Sequence, residues 1–310
     1  MIAGSNGEAV TLSTSEKTTL VQLARKTATQ LNRPDITITL GCSGQATRDV
    51  LDECHAAAAQ SSTGDGADFV LILVPSYYSS AMDSQSIVEF FKEVADGSPL
   101  PVMVYNFPSV AGGLDVDSEM LVELSAHRNI SGVKLTCGGI GKVPRVVEAA
   151  KGGGGGDGNG EDRFAVLSGQ IDWMGPAMAV GAVGAITGMA NLHPRVSSFL
   201  PIAFGLLCVC VCVWLTGAMQ SCVELYNLYL ANKTQEATAF QLKIATCEWA
   251  FAKGGINGSK WVVAKLLGYP ESSSACRRPH PVFADQGKRD WVVQRAGLLS
   301  GVEGELAKRV

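Results

Sequence analysis

The sequence predicts an α/β chain of the (β/α)8 (TIM) barrel class with a C-terminal helical extension, in which the first strand and helix are missing. Three observations point there. Short apolar runs alternate with segments whose apolar residues fall at helical spacing, a pattern repeated about seven times along the chain. Runs such as Asp68-Phe-Val-Leu-Ile-Leu-Val74 are apolar throughout rather than at every second residue, as in parallel strands buried on both faces. Each run also ends in small, polar or aromatic residues, where barrel enzymes gather their reactive groups. The alternative is an open doubly wound sheet, but no GxGxxG turn follows any strand.

Met1-Ile-Ala reads as the last residues of a strand entering the turn Gly4-Ser-Asn-Gly-Glu8, so the strand is expected to have lost what came before. Ser13 lies three residues before Glu16, a capping-box start for a helix reaching about Leu31. Ile36–Leu40 is the next expected strand, Gly41–Gly44 its turn, and 46–60 a helix. The unit recurs with strand 68–74 and helix 84–95, then strand 101–105 and helix 117–127. The strand Ile130-Ser-Gly-Val-Lys134 precedes a helix over 141–150, and Phe164–Leu167 precedes one ending near Val180. Gly184–Thr187 is the last strand. Helices are then expected over 224–232, 234–253, 259–267 and from about Asp285.

Two segments break the pattern. Lys151–Glu161, with seven glycines in eleven residues, has too little side chain to pack and reads as a surface loop. No Lys-Ser/Thr pair follows it, which argues against a phosphate cradle. Ser197–Met219 is apolar and long enough for a bilayer at ~20 residues. It falls between the last strand and the helix that should cover it, and Arg195 alone flanks it with positive charge. The expected organisation is therefore 1–196 as the barrel and 197–221 as an insertion such as a retained intron. Residues 222–310 then supply the last barrel helix and the helical extension.

A formal net charge of −4 with scattered basic residues gives no footprint for nucleic acid. The nine cysteines form no CxxC pair and no zinc-spaced Cys/His set, so free thiols in a reducing compartment are expected, and no metal. The N-terminus has neither a basic region nor a long apolar run of the kind a signal peptide needs. A cytoplasmic location is expected, with the mitochondrion as the alternative.

The strand-end rule gathers Ser5, Asn6, Tyr77, Tyr78, Tyr105, Lys134, Ser168 and Ile186 at one rim. A lysine at a strand end is otherwise one that snorkels to water. Set inside a buried strand, its ammonium is penalised, and the neutral amine so favoured can attack a carbonyl to form a Schiff base. Tyr105, on the neighbouring strand, suits the proton transfers of such chemistry.

Six segments in order carry a resemblance: Gly4-Ser-Asn-Gly-Glu8, Pro75-Ser-Tyr-Tyr78, Tyr105-Asn-Phe-Pro108, Gly132-Val-Lys134, Ser168-Gly169 and Gly188-Met-Ala-Asn191. With these the chain resembles the dihydrodipicolinate synthase / N-acetylneuraminate lyase family of class I aldolases. The resemblance implies a Schiff-base lyase for a pyruvate-yielding 2-oxo acid, without metal or organic cofactor. It gives Lys134 the imine, Tyr105 the proton relay, and Ser5 and Asn6 the substrate carboxylate. Ile186 would offer a carbonyl, Ser168 would line the site, and Tyr78 would cross a subunit contact in a dimer or tetramer. The family's first strand and helix have no counterpart in the chain.

Dihydrodipicolinate synthases carry an arginine after the Tyr-Asn-x-Pro segment for the aldehyde's carboxylate. Here Ser109-Val-Ala-Gly-Gly113 is uncharged. That departure resembles the 4-hydroxy-2-oxoglutarate aldolase and sugar-acid aldolase branch, especially its fungal members. Condensation of pyruvate with an aldehyde, or an inactive family member, is the alternative.

Overall fold

The computed structural model describes residues 1–59, 66–152, 164–192 and 220–306. Most of the glycine-rich segment and all of 197–219 lie outside the described residues. The chain forms two compact units. One comprises Met1–Gly4, Leu12–Gly169 and Val180–Val183, and the other Ser5–Thr11, Gln170–Ala179 and Gly184–Val310.

The first unit is built on five strands: β1 (Thr39–Cys42), β2 (Phe69–Leu73), β3 (Val102–Asn106), β4 (Ile130–Leu135) and β5 (Ala165–Ser168). Each pairs in parallel with the next. Parallel neighbours in chain order require a crossover between them. Helices α2 (Thr47–Ala58), α3 (Ser84–Gly97), α4 (Ser118–Ser125) and α5 (Lys142–Gly152) lie in those connections. All four residues of β1 and all five of β3 are buried, as expected of strands covered on both faces.

Local chemistry sets the helix starts. Helix α1 (Thr14–Gln30) opens on the expected capping box: Ser13 Oγ accepts from Glu16 N at 3.3 Å, and Glu16 Oε2 accepts from Ser13 N at 2.9 Å. Asp83 and Asp117 cap α3 and α4 by accepting from Ser86 N and Met120 N. Lys17, only 2 % exposed, ties α1 to α2 through both oxygens of Glu53 at 2.7 and 2.9 Å.

Strand β1 starts three residues later than the apolar run 36–40 suggests and continues through Gly41 and Cys42. Side chains help to hold the earlier residues, and Ile38 O also accepts from Asp68 N at 2.7 Å. Arg25 Nη1 donates to Ile36 O at 2.9 Å, and Asp68 Oδ2 accepts from Ile38 N at 2.6 Å. Gly41 belongs to the strand rather than the turn because Ile2 bridges Leu40 in parallel on that side. Ile2 N donates to Thr39 O at 2.8 Å and Gly41 N to Ile2 O at 2.9 Å. A Cβ on Gly41 would stand 2.0 Å from the Ala3 carbonyl oxygen.

Gly132 meets the same demand within β4, where a Cβ would lie 2.3 Å from Ala165 O. Gly132→Ala is therefore expected to force β4 and β5 apart. The expected cost is about 3 kcal/mol, read as a lower midpoint in thermal or denaturant melting.

The second unit holds β6 (Gly184–Ala185), α6 (Met174–Ala179), α7 (Gln220–Leu230), α8 (Thr234–Leu267), α9 (Gln286–Ala296) and α10 (Ser300–Leu306). The sequence suggests separate helices over 234–253 and 259–267. They are joined end to end, with a kink at Gly255, whose φ of 59° is non-helical. Leu225, Ile244, Ala250, Val262 and Ala296 form the centre of this unit's core. Gln241 stitches α8 to the segment before α6, donating to Ile171 O at 2.9 Å and accepting from Gly175 N at 2.8 Å.

The six cysteines of the described residues are free thiols. Among the described residues no helix is long and apolar enough to cross a membrane.

Candidate active site

Lys134 and Tyr105 face each other across β3 and β4 because of one extra residue. The ladder runs Val102↔Ile130 and then Met103↔Gly132, skipping Ser131, whose hydroxyl donates to Val102 O at 3.2 Å. The slip pairs Tyr105 with Lys134; an unbroken register would pair it with Val133. Lys134 is 7 % exposed and Tyr105 4 %. The lysine Nζ stands 4.2 Å from the centroid of the tyrosine ring, and that ring leans on Phe107 at 5.9 Å. Burial removes the water that would otherwise solvate the ammonium, and the ring face supplies part of the replacement. This lysine does not snorkel.

The loop after β3 is fixed by residues that sequence reasoning passed over. Asn106 is buried and donates through Nδ2 to Asp115 Oδ1 at 2.8 Å and Val116 O at 3.1 Å. Its Oδ1 accepts from Val116 N at 3.1 Å. Lys142 Nζ donates to the same Asp115 oxygen and to Val116 O. The motif Tyr105-Asn-Phe-Pro108 contains Asn106, but its partner Asp115 lies nine residues on with no periodic signal to mark it.

Ser168 is fully buried and pairs in register with Leu135, the residue after the lysine. Gly169 follows it, and a Cβ there would lie 1.8 Å from Thr136 Oγ1. That hydroxyl, two residues past Lys134, is buried without a hydrogen-bond partner among the described residues. It is a second group the sequence reading missed. A lone threonine at a strand end carries no pattern.

Tyr78 stands apart from this pair. Tyr77 and Tyr78 are 77 % and 70 % exposed and pack edge to face, with centroids 4.9 Å apart. Gln45 Oε1 holds their loop by accepting from Ser76 N and Tyr77 N, both at 2.9 Å.

In the second unit Ser5–Gly7 form a 3-10 turn. Asn6 lies against Gly188, where a Cβ would stand 2.3 Å from Asn6 Nδ2. Ile186, two residues before that glycine, is buried. Thr187 Oγ1 accepts from Met189 N at 3.3 Å and donates to buried Glu248 at 3.4 Å. The expected residues thus gather as Lys134, Tyr105 and the Ser168 strand end in one unit. In the other, Asn6 meets the turn that follows Ile186.

The dihydrodipicolinate synthetase family model matches residues 1–201. The chain belongs to this family. It is 33 % identical over 279 residues to a mitochondrial protein of Emericella nidulans bearing the name 4-hydroxy-2-oxoglutarate aldolase, covering 90 % of this chain and 76 % of that one. It is 30 % identical over 270 residues to the L-threo-3-deoxy-hexylosonate aldolase of Hypocrea jecorina, covering 87 % and 75 %. Among solved structures, a dihydrodipicolinate synthase family protein from Coccidioides immitis superposes with a TM-score of 0.76 at 29 % identity, over 98 % of this chain and 85 % of that one. The family expected from the six motifs is the family found, and both relatives are named as aldolases, the enzyme type those motifs imply.

Proposed function

We propose that the chain cleaves a 4-hydroxy-2-oxo acid, such as 4-hydroxy-2-oxoglutarate or a 2-keto-3-deoxy sugar acid, into pyruvate and an aldehyde. Lys134 is the nucleophile of this class I aldolase. The observation that carries the reading is a buried lysine set on the ring of Tyr105 at the ends of adjacent parallel strands. Barrel enzymes place their chemistry at such strand ends.

The neutral amine of Lys134 adds to the C2 carbonyl, and the carbinolamine loses water to give a protonated imine. Loss of the C4 hydroxyl proton then breaks the C3–C4 bond. The aldehyde leaves while the imine nitrogen takes the electron pair as an enamine. Protonation at C3 and hydrolysis return pyruvate and the free amine. Tyr105 carries protons to and from the carbinolamine and the C4 oxygen. Ser5 and Asn6 take the C1 carboxylate and the Ile186 carbonyl faces the substrate. Ser168 and the Thr136 hydroxyl, which has no partner among the described residues, line the site.

Cleavage is favoured over condensation with aspartate semialdehyde by the loop 109–113, which offers no cation for a second carboxylate. Tyr78 is assigned to a contact with a second copy, in a dimer or tetramer. Its exposed aromatic pair is the kind of surface that such a contact covers. The organisation proposed remains 1–196 as a barrel lacking its first strand and helix, 197–221 as an insertion rather than an anchor, and 222–310 as the last barrel helix and the helical extension. The compartment is the one named for the Emericella relative, the mitochondrion.

The test is an assay of pyruvate release from 4-hydroxy-2-oxoglutarate and from 2-keto-3-deoxy sugar acids, with chelator present. Turnover of one of them, at least about tenfold in kcat/KM above condensation of pyruvate with aspartate semialdehyde, is expected from the missing carboxylate partner. The reverse ranking, or no turnover by folded protein, rejects the proposal.

A further inference from the structure

Glu8 ends the Gly4–Glu8 turn, and the reaction as drawn makes no use of it. Its backbone is left-handed, with φ of 58°, between the 3-10 turns Ser5–Gly7 and Ala9–Thr11. A residue with a Cβ disfavours that conformation, so something must hold it. The carboxylate does so. Its Oε2 accepts from Lys260 Nζ at 2.6 Å and its Oε1 from the Arg277 backbone N–H at 2.6 Å. The Glu8 side chain is 10 % exposed. Burial by itself would raise its pKa. The hydrogen bonds from Lys260 and Arg277 N, with the charges of Lys260 and His280, outweigh burial and hold it below the ordinary glutamate value.

The clamp is closed on its far side as well. Lys260 also donates to Ala275 O at 2.7 Å, and Arg277 Nη1 reaches Thr11 O at 3.4 Å. Thr11 N and Oγ1 both donate to Glu8 O at 2.9 Å. Lys260 lies on α8, the same helix whose Glu248 accepts from Thr187 beside Gly188, the residue that Asn6 packs against. The two arms of α8 thus bond the Glu8 carboxylate, two residues after Asn6, and the Thr187 hydroxyl, next to the Gly188 that Asn6 packs against.

We propose that Glu8 is a positioning residue, clamped by Lys260 and Arg277 N–H so that Ser5 and Asn6 keep the shape that receives the substrate carboxylate. The proposal rests on the carboxylate role assigned to Ser5 and Asn6 above. It also makes residues 275–277 determinants of substrate affinity. The same geometry gives Lys260 a second task. Without its ammonium, a buried anion would stand next to the turn that binds another anion.

The test compares the full chain with Glu8→Gln, Lys260→Met and the double variant, each confirmed folded by its melting transition. Glu8→Gln is expected to raise KM for the cleaved 2-oxo acid about tenfold, with kcat within about threefold of wild type. Lys260→Met is expected to raise KM further, and adding Glu8→Gln to it should bring KM back toward the single Glu8→Gln value. A purely structural role would lower the melting temperature of Glu8→Gln and leave its KM alone. Unchanged KM in folded Glu8→Gln overturns the proposal. Should Glu8→Gln fail to fold, a folded Lys260→Met with unchanged KM overturns it equally. A wild-type protein that forms no borohydride-trapped adduct with pyruvate is a separate outcome. It rejects the aldolase reading and the positioning role with it.

Discussion

Replacing Lys134 by Met should abolish turnover, with kcat reduced by at least about 10^4-fold, because no other group in the proposed mechanism can form the imine. The fold should survive. Methionine keeps the length and apolar stem of the side chain at a position only 7 % exposed. The ammonium's contact with the Tyr105 ring is worth about 2 kcal/mol when desolvated, whereas desolvating an ion costs several kcal/mol. The second effect is the larger, so the melting temperature of Lys134→Met should equal or exceed that of wild type. Lys134→Arg separates charge from nucleophilicity. It keeps a cation on the ring, but a guanidinium stays protonated and forms no imine, so its activity should be as low. Activity above about one per cent of wild type in either variant contradicts the assignment.

Tyr105→Phe should lower kcat by about 10^2- to 10^3-fold, the range for loss of a positioned proton-transfer group. The substitution is a clean one. The ring is buried, leans on Phe107 and carries the Lys134 ammonium on its face, and phenylalanine preserves all three contacts. Stability should change by no more than about 1.5 kcal/mol, the net worth of an ordinary hydrogen bond. Because Lys134 remains, Tyr105→Phe should still form the trapped pyruvate adduct, only more slowly. A tyrosine that merely packs predicts a kcat within about threefold of wild type, since nothing but the hydroxyl is lost.

The strand–helix alternation was legible because buried parallel strands write themselves as unbroken apolar runs, and β2, β3 and β4 fall within a residue or two of the expected positions. Strand β1 was misplaced for a reason no local pattern contains. Its start is set by Arg25 and Asp68 capturing Ile36 and Ile38, and its end by Ile2 pairing alongside Gly41. The cap at Ser13 was readable, since the signal and its target lie within three residues.

The reactive pair was legible in part. Lys134 and Tyr105 could be assigned to strand ends, but their register depends on the skipped Ser131, and β-bulges leave no mark in apolar runs. Asp115 meets Asn106 nine residues away and Lys142 27 away, and Glu8 meets Lys260 and Arg277 more than 250 residues away, none at a helix or strand repeat. Single-sequence periodicity is blind to such pairs. The motif Gly4-Ser-Asn-Gly-Glu8 did contain Glu8, yet its clamp lies more than 250 residues downstream.

The most direct test of the central claim is borohydride reduction in the presence of pyruvate, followed by mass mapping of the digested protein. An imine formed and reduced on the lysine adds a fixed mass to a single peptide. The account predicts that adduct on the peptide containing Lys134, and its absence from Lys134→Met. Folded wild-type protein with no adduct, or with its adduct on a different lysine, would contradict it.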